Sequence, residues 1–215
     1  MLEAHGIACV RGNRRLFAGL SFRLEPRCAL RVLGENGAGK TSLLRIVAGL
    51  SPAESGELRW NGTPVAVLGE DYRREIAYLG HANALKDDLT ALENLDHALA
   101  LAGIGAGRDA MRGELERLGL GGAMQLPAKL LSQGQKRRAA LARLAFCGER
   151  VLWILDEPFA ALDVEAVARL AHALAAHLGR GGMLLFTTHQ EVDLPGAAVA
   201  GLGLDGRGAG IGAAA

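Results

Sequence analysis

The chain has 215 residues, 50% of them hydrophobic and 22% charged, with a formal net charge of +1. That length and apolar share suit one large α/β domain, and the near-neutral charge offers neither a footprint for nucleic acid nor an acidic tail. Cys9, Cys28 and Cys147 are odd in number and far apart, which argues against a disulfide framework or a zinc site and suits a reducing cytoplasm.

Residues 2–32 read as short strands broken by turns. The apolar run at 28–33 feeds directly into GENGAGKT at 34–41, which satisfies G-x-x-x-x-G-K-[ST]. A strand, a glycine-rich loop and then a helix is the setting in which that pattern cradles phosphates. The helix predicted over 41–50 puts Leu43, Leu44, Val47 and Leu50 on one face and ends at Gly49. Residues 54–80 alternate, with Asn61-Gly62 marking a hairpin. From about 84 to 147 the pattern is helical. Leu92, Leu95, Leu99 and Leu101 form one stripe and Leu115, Leu118 and Leu120 another, with the glycine-rich loop at 103–107 between them. This reads as a helical subdomain inserted into the α/β core.

Val151–Leu155 is wholly apolar, as a central parallel strand buried on both faces should be. A helix is predicted over 164–178, then a second buried strand, Met183–Thr188, ending at His189. Val199–Leu204 reads as a weak further strand, and 206–215 as a flexible Gly/Ala-rich tail without chemistry. The basic pairs Arg14–Arg15, Arg73–Arg74 and Arg137–Arg138 are expected on solvated faces. The N-terminus has no signal-peptide core, and no run approaches the roughly 18 apolar residues of a membrane span. Any membrane role is therefore expected to need a separate partner.

Three groups of residues carry chemistry. The loop Gly34, Glu35, Asn36, Gly37, Ala38, Gly39, Lys40, Thr41 and Ser42 reads as the ATP phosphate site. Its amides form an anion nest at a helix start, Lys40 reaches the β and γ phosphates, and the Thr41 hydroxyl suits Mg²⁺. Asp156 and Glu157 end a buried strand, where ligands collect in doubly wound sheets. Asp156 is expected to hold Mg²⁺ and Glu157 to accept the proton of an attacking water. Ser132 and Gln135 have the spacing of a helix capping box. That bland reading competes with a functional one until the order LSQGQ (131–135), LWILDEP (152–158), His189 is taken together.

In that order the motifs resemble an ABC-transporter nucleotide-binding subunit over essentially residues 2–205. The resemblance implies a P-loop NTPase fold: a RecA-like core with a mainly parallel sheet, an N-terminal antiparallel β-subdomain and an inserted helical subdomain. It also implies a homodimer in which Ser132, Gln133, Gly134 and Gln135 contact the ATP bound by the opposite protomer. Ala160–Asp163 matches the loop that crosses the dimer interface, and His189 the histidine that senses the γ-phosphate beside Lys40 and Glu157.

Within the family, LFAGLSF (16–22), YLGH (78–81), LTALENL (89–95), RRAALARL (137–144) and LWILDEPFAALD (152–163) resemble the haem-export branch, the ATPases of cytochrome c biogenesis. That branch implies ATP hydrolysis on the cytoplasmic face of the bacterial inner membrane, peripherally bound to integral subunits that handle haem. Hydrolysis there drives release of haem bound to a periplasmic chaperone. His81 stands where most ABC ATPases carry a glutamine that contacts the metal or its water. Val10-Arg11-Gly12 replaces the usual adenine-stacking aromatic, which leaves Arg11 to stack its guanidinium plane on the base. The rival readings are an ABC transporter ATPase for another substrate, a soluble nucleotide-gated ABC module, and a P-loop kinase. The last leaves the Ser132 motif without purpose.

Overall fold

The computed structural model describes residues 1–204 and the strand at 212–213. The first elements are two long strands, β1 (Leu2–Arg11) and β2 (Arg14–Leu24), rather than several short ones. Glycines that interrupt the apolar alternation are absorbed by register shifts between Ala4 and Ile7 and onward to Val10, so pairing continues past each break. β3 (Ala29–Leu33) leads through the glycine loop to α1 (Lys40–Val47). β4 (Ser55–Trp60) and β5 (Thr63–Pro64) close a hairpin at Asn61-Gly62, followed by the short helices α2 (Val65–Leu68) and α3 (Glu70–Arg74). β2, β1, β4 and β5 form an antiparallel sheet in that order.

β6 (Ile76–Leu79) precedes the helical segment: α4 (Ala91–Leu101), α5 (Arg108–Arg117) and α6 (Gln133–Leu141), the last continued by a 3₁₀ turn over Ala142–Phe146. β7 (Leu152–Leu155), α7 (Val164–Gly179), β8 (Met183–Thr187) and β9 (Val199–Gly203) complete the core. The second sheet runs β10 (Gly212–Ala213), β9, β3, β8, β7, β6, parallel except for β10. The segment read as the tail, 206–215, otherwise lies outside the described residues.

β7 and β8 are buried along their whole length, and period-two alternation divides the side chains of the parallel sheet between its two faces. Leu30, Val32, Leu152, Ile154, Met183 and Leu185 enter a core shared with α1 and the antiparallel sheet. Trp153, Leu155, Leu184 and Phe186 enter a second core beneath α7. Each fully buried leucine contributes roughly 1.5–3 kcal/mol. A third cluster, with Leu92, Leu95, Leu99 and Leu115, holds the helical segment together. Two apolar assignments fail. α1 stops at Val47, so Leu50 falls beyond the helix and is 46% exposed, and Ile46 takes the buried place instead. Leu101, on the last turn of α4, is 77% exposed.

Candidate functional site

The register of the parallel sheet sets the site. Val32 pairs with Thr187, Phe186 with Leu155, and Leu155 with Leu79. The strands therefore end at one level, and Gly34, Asp156, Thr188 and Gly80 emerge along one edge. Ligands collect at this carboxyl edge because loops and helix starts converge there.

A cavity of about 360 Å³ at that edge is lined by Glu35, Asn36, Gly37, Gly39, Lys40, Thr41, Ser42, His81, Asp156, Glu157 and His189, together with Leu16. Gly34 and Ala38 complete the loop from behind, Ala38 N donating to Glu35 O at 3.1 Å. Gly39 sits at φ +106°, and a Cβ there would lie 3.1 Å from Leu16 and from the Phe17 ring, so the loop needs glycine for both conformation and space. Lys40 Nζ donates to Gly34 O at 2.6 Å and Glu35 O at 3.2 Å, which holds the ammonium inside the loop.

The acid pair is fixed by a chain of hydrogen bonds. Thr41 Oγ1 donates to Asp156 Oδ2 at 2.7 Å, and Thr187 Oγ1 donates to Asp156 Oδ1 at 2.7 Å. Glu157 N donates to Thr187 Oγ1 at 2.8 Å. Asp156 is only 2% exposed, so both of its oxygens need these partners. Glu157 has φ +49°, a left-handed backbone that costs a non-glycine residue roughly 1–2 kcal/mol. Thr187 holds that kink from one side. Glu157 Oε2 accepts from His189 N at 3.3 Å, while His189 Nε2 lies 3.4 Å from Oε1. Oε1 is buried and has no hydrogen-bond partner among the described residues.

Thr41 and Asp156 present hard oxygen donors 2.7 Å apart beside the phosphate loop, a donor set that suits Mg²⁺ better than a softer ion. Among the described residues no group of three or more His, Cys, Asp or Glu could hold a metal by itself. A cation here would thus depend on the threonine hydroxyl and the nucleotide's own oxygens as well. His81 lines the cavity from the exposed loop after β6.

Other sequence-derived candidates lie elsewhere. Ser132 caps α6: its hydroxyl accepts from Gln135 N at 3.2 Å, and Gln135 Oε1 accepts from Ser132 N at 2.8 Å. The capping box is therefore real, and it leaves Ser132 and Gln133 exposed at the helix start. A Cβ on Gly134 would lie 2.8 Å from Ala161 O, so this helix start packs directly on the 160–163 loop. Asp163 caps α7 by accepting from Ala166 N at 2.8 Å, and Val164 beside it is 88% exposed. These segments form a separate surface outside the cavity. Arg11 lies outside it too, exposed, with its guanidinium 3.4 Å from Ser51 Oγ; Leu16 lines the cavity instead.

Arg137 overturns the expectation of a solvated basic pair. It is 3% exposed, and burial pushes its guanidinium down to about 10, against the opposing pull of the nearby Asp156 carboxylate. It remains a cation at neutral pH. Sequence reasoning also passed over Thr187, which reads as the end of an apolar strand.

The family model described as ABC transporter matches residues 17–160. The chain belongs to the ABC transporter family. It is 55% identical over 93% of its length to the "Cytochrome c biogenesis ATP-binding export protein CcmA" of Dechloromonas aromatica, covering 97% of that protein. To the protein of the same name from Nitrosospira multiformis it is 50% identical, covering 92% of this chain and 96% of the relative. Among solved structures, one titled "Structure of ATP binding subunit of ABC transporter" aligns with TM-score 0.77 at 25% identity, covering 88% of this chain and 79% of that one. A second, an ABC transporter ATP-binding protein from Pyrococcus furiosus, has TM-score 0.78 at 21% identity over 94% and 96% of the two chains, a likeness of fold. The α/β architecture with one antiparallel and one parallel sheet is thus that of an ABC ATPase.

Proposed function

We propose that this chain is the ATP-hydrolysing subunit of a membrane ABC complex for cytochrome c biogenesis. It works as a homodimer bound to integral subunits on the cytoplasmic face of the inner membrane. The biological role is supported by relatives named as cytochrome c biogenesis ATP-binding export proteins, 47–55% identical over 87–93% of this chain.

One observation carries the chemistry. A single cavity gathers the phosphate loop, the Thr41–Asp156 oxygen pair and the Glu157 carboxylate, one of whose oxygens is buried without a hydrogen-bond partner among the described residues. The loop amides and Lys40 bind the phosphates. Thr41 and Asp156 would hold Mg²⁺, which when bound neutralises charge on the phosphate oxygens. Glu157 takes a proton from the water attacking the γ-phosphorus, a contribution of roughly 10²–10⁴-fold. His189 approaches both carboxylate oxygens of Glu157 and orients them.

The close approach of Gly134 to Ala161 O sets the exposed Ser132 and Gln133 beside the exposed Asp163 end of the 160–163 loop, a face that a second copy would cover in this reading. Ser132 of one protomer then meets the γ-phosphate held by Lys40 of the other. Closure is favoured only while that phosphate is present. No helix among the described residues is long and apolar enough to cross a membrane, so coupling to membrane transport falls to partner subunits.

The test is a deletion strain lacking any second copy of the gene. Covalent haem attachment to c-type cytochromes should be lost, as read by haem staining and absorption spectra, and restored by the wild-type gene but not by Glu157→Gln. Normal holocytochrome levels in the deletion strain would remove the cytochrome role and leave an ABC ATPase for another substrate.

A further inference from the structure

The buried cation at residue 137 sits where three parts of the molecule meet. Arg137 Nη2 donates to Asp156 O at 2.8 Å and Glu157 O at 2.7 Å, and Nε donates to Pro158 O at 3.3 Å. Nη1 donates to Gly80 O at 3.3 Å and Asn83 Oδ1 at 3.0 Å. A guanidinium has five N–H donors in a fixed fork, and here each has an acceptor. Four of those acceptors are main-chain carbonyls and the fifth is a neutral amide, so among the described residues the side chain forms no ion pair and its work is positional. Desolvating a cation is costly, and this full set of hydrogen bonds, with the nearby Asp156 and Glu157 carboxylates, offsets it.

The acceptors are not scattered. Asp156, Glu157 and Pro158 are the kinked turn that carries the proton-accepting carboxylate, with Glu157 held at φ +49°. Gly80 and Asn83 flank His81, which lines the same cavity. Arg137 itself is on the second turn of α6, whose first turn carries Ser132, Gln133 and Gly134. Thr187 grips the Glu157 amide from the far side, so the kink is clamped between a hydroxyl and a guanidinium.

We propose that Arg137 is a positioning residue that ties the Ser132 helix to the Glu157 turn and to the His81 loop, so that contact at Ser132 is felt at the proton acceptor of the same protomer. This rests on the ATPase reading of the cavity. Lysine cannot replace it, because one ammonium with three donors on a flexible stem cannot span both segments at once. Arg137 touches neither the phosphate loop nor Lys40, so nucleotide binding should be spared while turnover suffers.

The experiment compares the purified full-length wild type with Arg137→Lys and Asn83→Ala, measuring ATP affinity by equilibrium binding, kcat and KM for ATP, and amide exchange at 79–84 with and without ATP. Arg137→Lys should lower kcat at least tenfold with KM and affinity within about threefold of wild type. ATP-dependent protection at 79–84 should also be lost. Asn83→Ala removes a single arm of the clamp without leaving a buried charge unpaired, and should lower kcat about fivefold with the same exchange signature. If Arg137→Lys does not fold, Asn83→Ala alone decides the matter. Wild-type kcat and exchange in the folded variants, or a fall in affinity that matches the fall in kcat, would overturn the positioning role. An inactive wild type would instead overturn the ATPase reading, so the two failures are distinct.

Discussion

Thr41 Oγ1 stands 2.7 Å from Asp156 Oδ2, although the two residues are 115 positions apart. That contact joins the start of α1 to the end of β7 and brings the hard oxygens of the nucleotide site together. It exists because β3 and β7 lie on either side of β8 and end at the same level. The site is a consequence of sheet register, and the register follows from apolar runs that are buried on both faces.

Glu157→Gln keeps the size of the side chain and removes its basicity. ATP binding should persist, kcat should fall about 10²–10⁴-fold, and ATP-bound dimers should accumulate on size-exclusion chromatography. Unchanged turnover would remove Glu157 as the proton acceptor.

Thr187→Val deletes the hydroxyl that donates to Asp156 Oδ1 and accepts from Glu157 N. Two buried polar groups lose their partner in a strand end with no exposure. Stability should drop by about 1–3 kcal/mol in denaturant unfolding, and kcat should fall as the kink loosens. Thr187→Ser keeps the hydroxyl and should recover most of both.

His177 is buried and stacks on Trp153 with ring centroids 4.0 Å apart, its Nε2 3.2 Å from Met183 O. Burial first, and the nearby Arg180 cation, push its imidazole down to about 4 from the ordinary 6.5. The folded-state value lies below the unfolded one, so above pH 6.5 both states are neutral and nothing is lost. As pH falls from 6.5 towards 4 the unfolded chain takes up a proton that the fold excludes, and stability should decline by about 3 kcal/mol. His177→Phe retains the stack, and its unfolding free energy should fall less steeply across that window.

Much of this was legible in the residues because the phosphate loop and the acid pair are contiguous, and contiguous motifs keep their chemistry when read as text. The inserted helices were legible from the spacing of Leu92, Leu95 and Leu99. Arg137 was not, because a basic pair on a helix carries no mark of burial. Its partners are main-chain carbonyls 19 to 21 positions downstream and one 57 positions upstream, with the Asn83 amide oxygen 54 positions upstream. Leu50 and Leu101 misled for the opposite reason: a helical stripe extends on paper past the turn where the helix or its packing ends. Arg11 is paired opposite Arg14 at the exposed end of β1, while Leu16 lines the cavity, so stacking of Arg11 on adenine stays an expectation drawn from its place in the chain.

In the proposed homodimer the catalytic centre is divided between two copies, Lys40 from one and Ser132 from the other. The most direct measurement mixes two variants that are each inactive, Lys40→Ala and Ser132→Arg, and follows ATPase activity. In a mixed dimer both lesions fall in one site and the other site is intact. An equimolar mixture should therefore recover activity approaching about a quarter of wild type, from half the dimers with one of two sites each. A mixture as inactive as its separate components, with mixed dimers demonstrably present, would contradict the shared site.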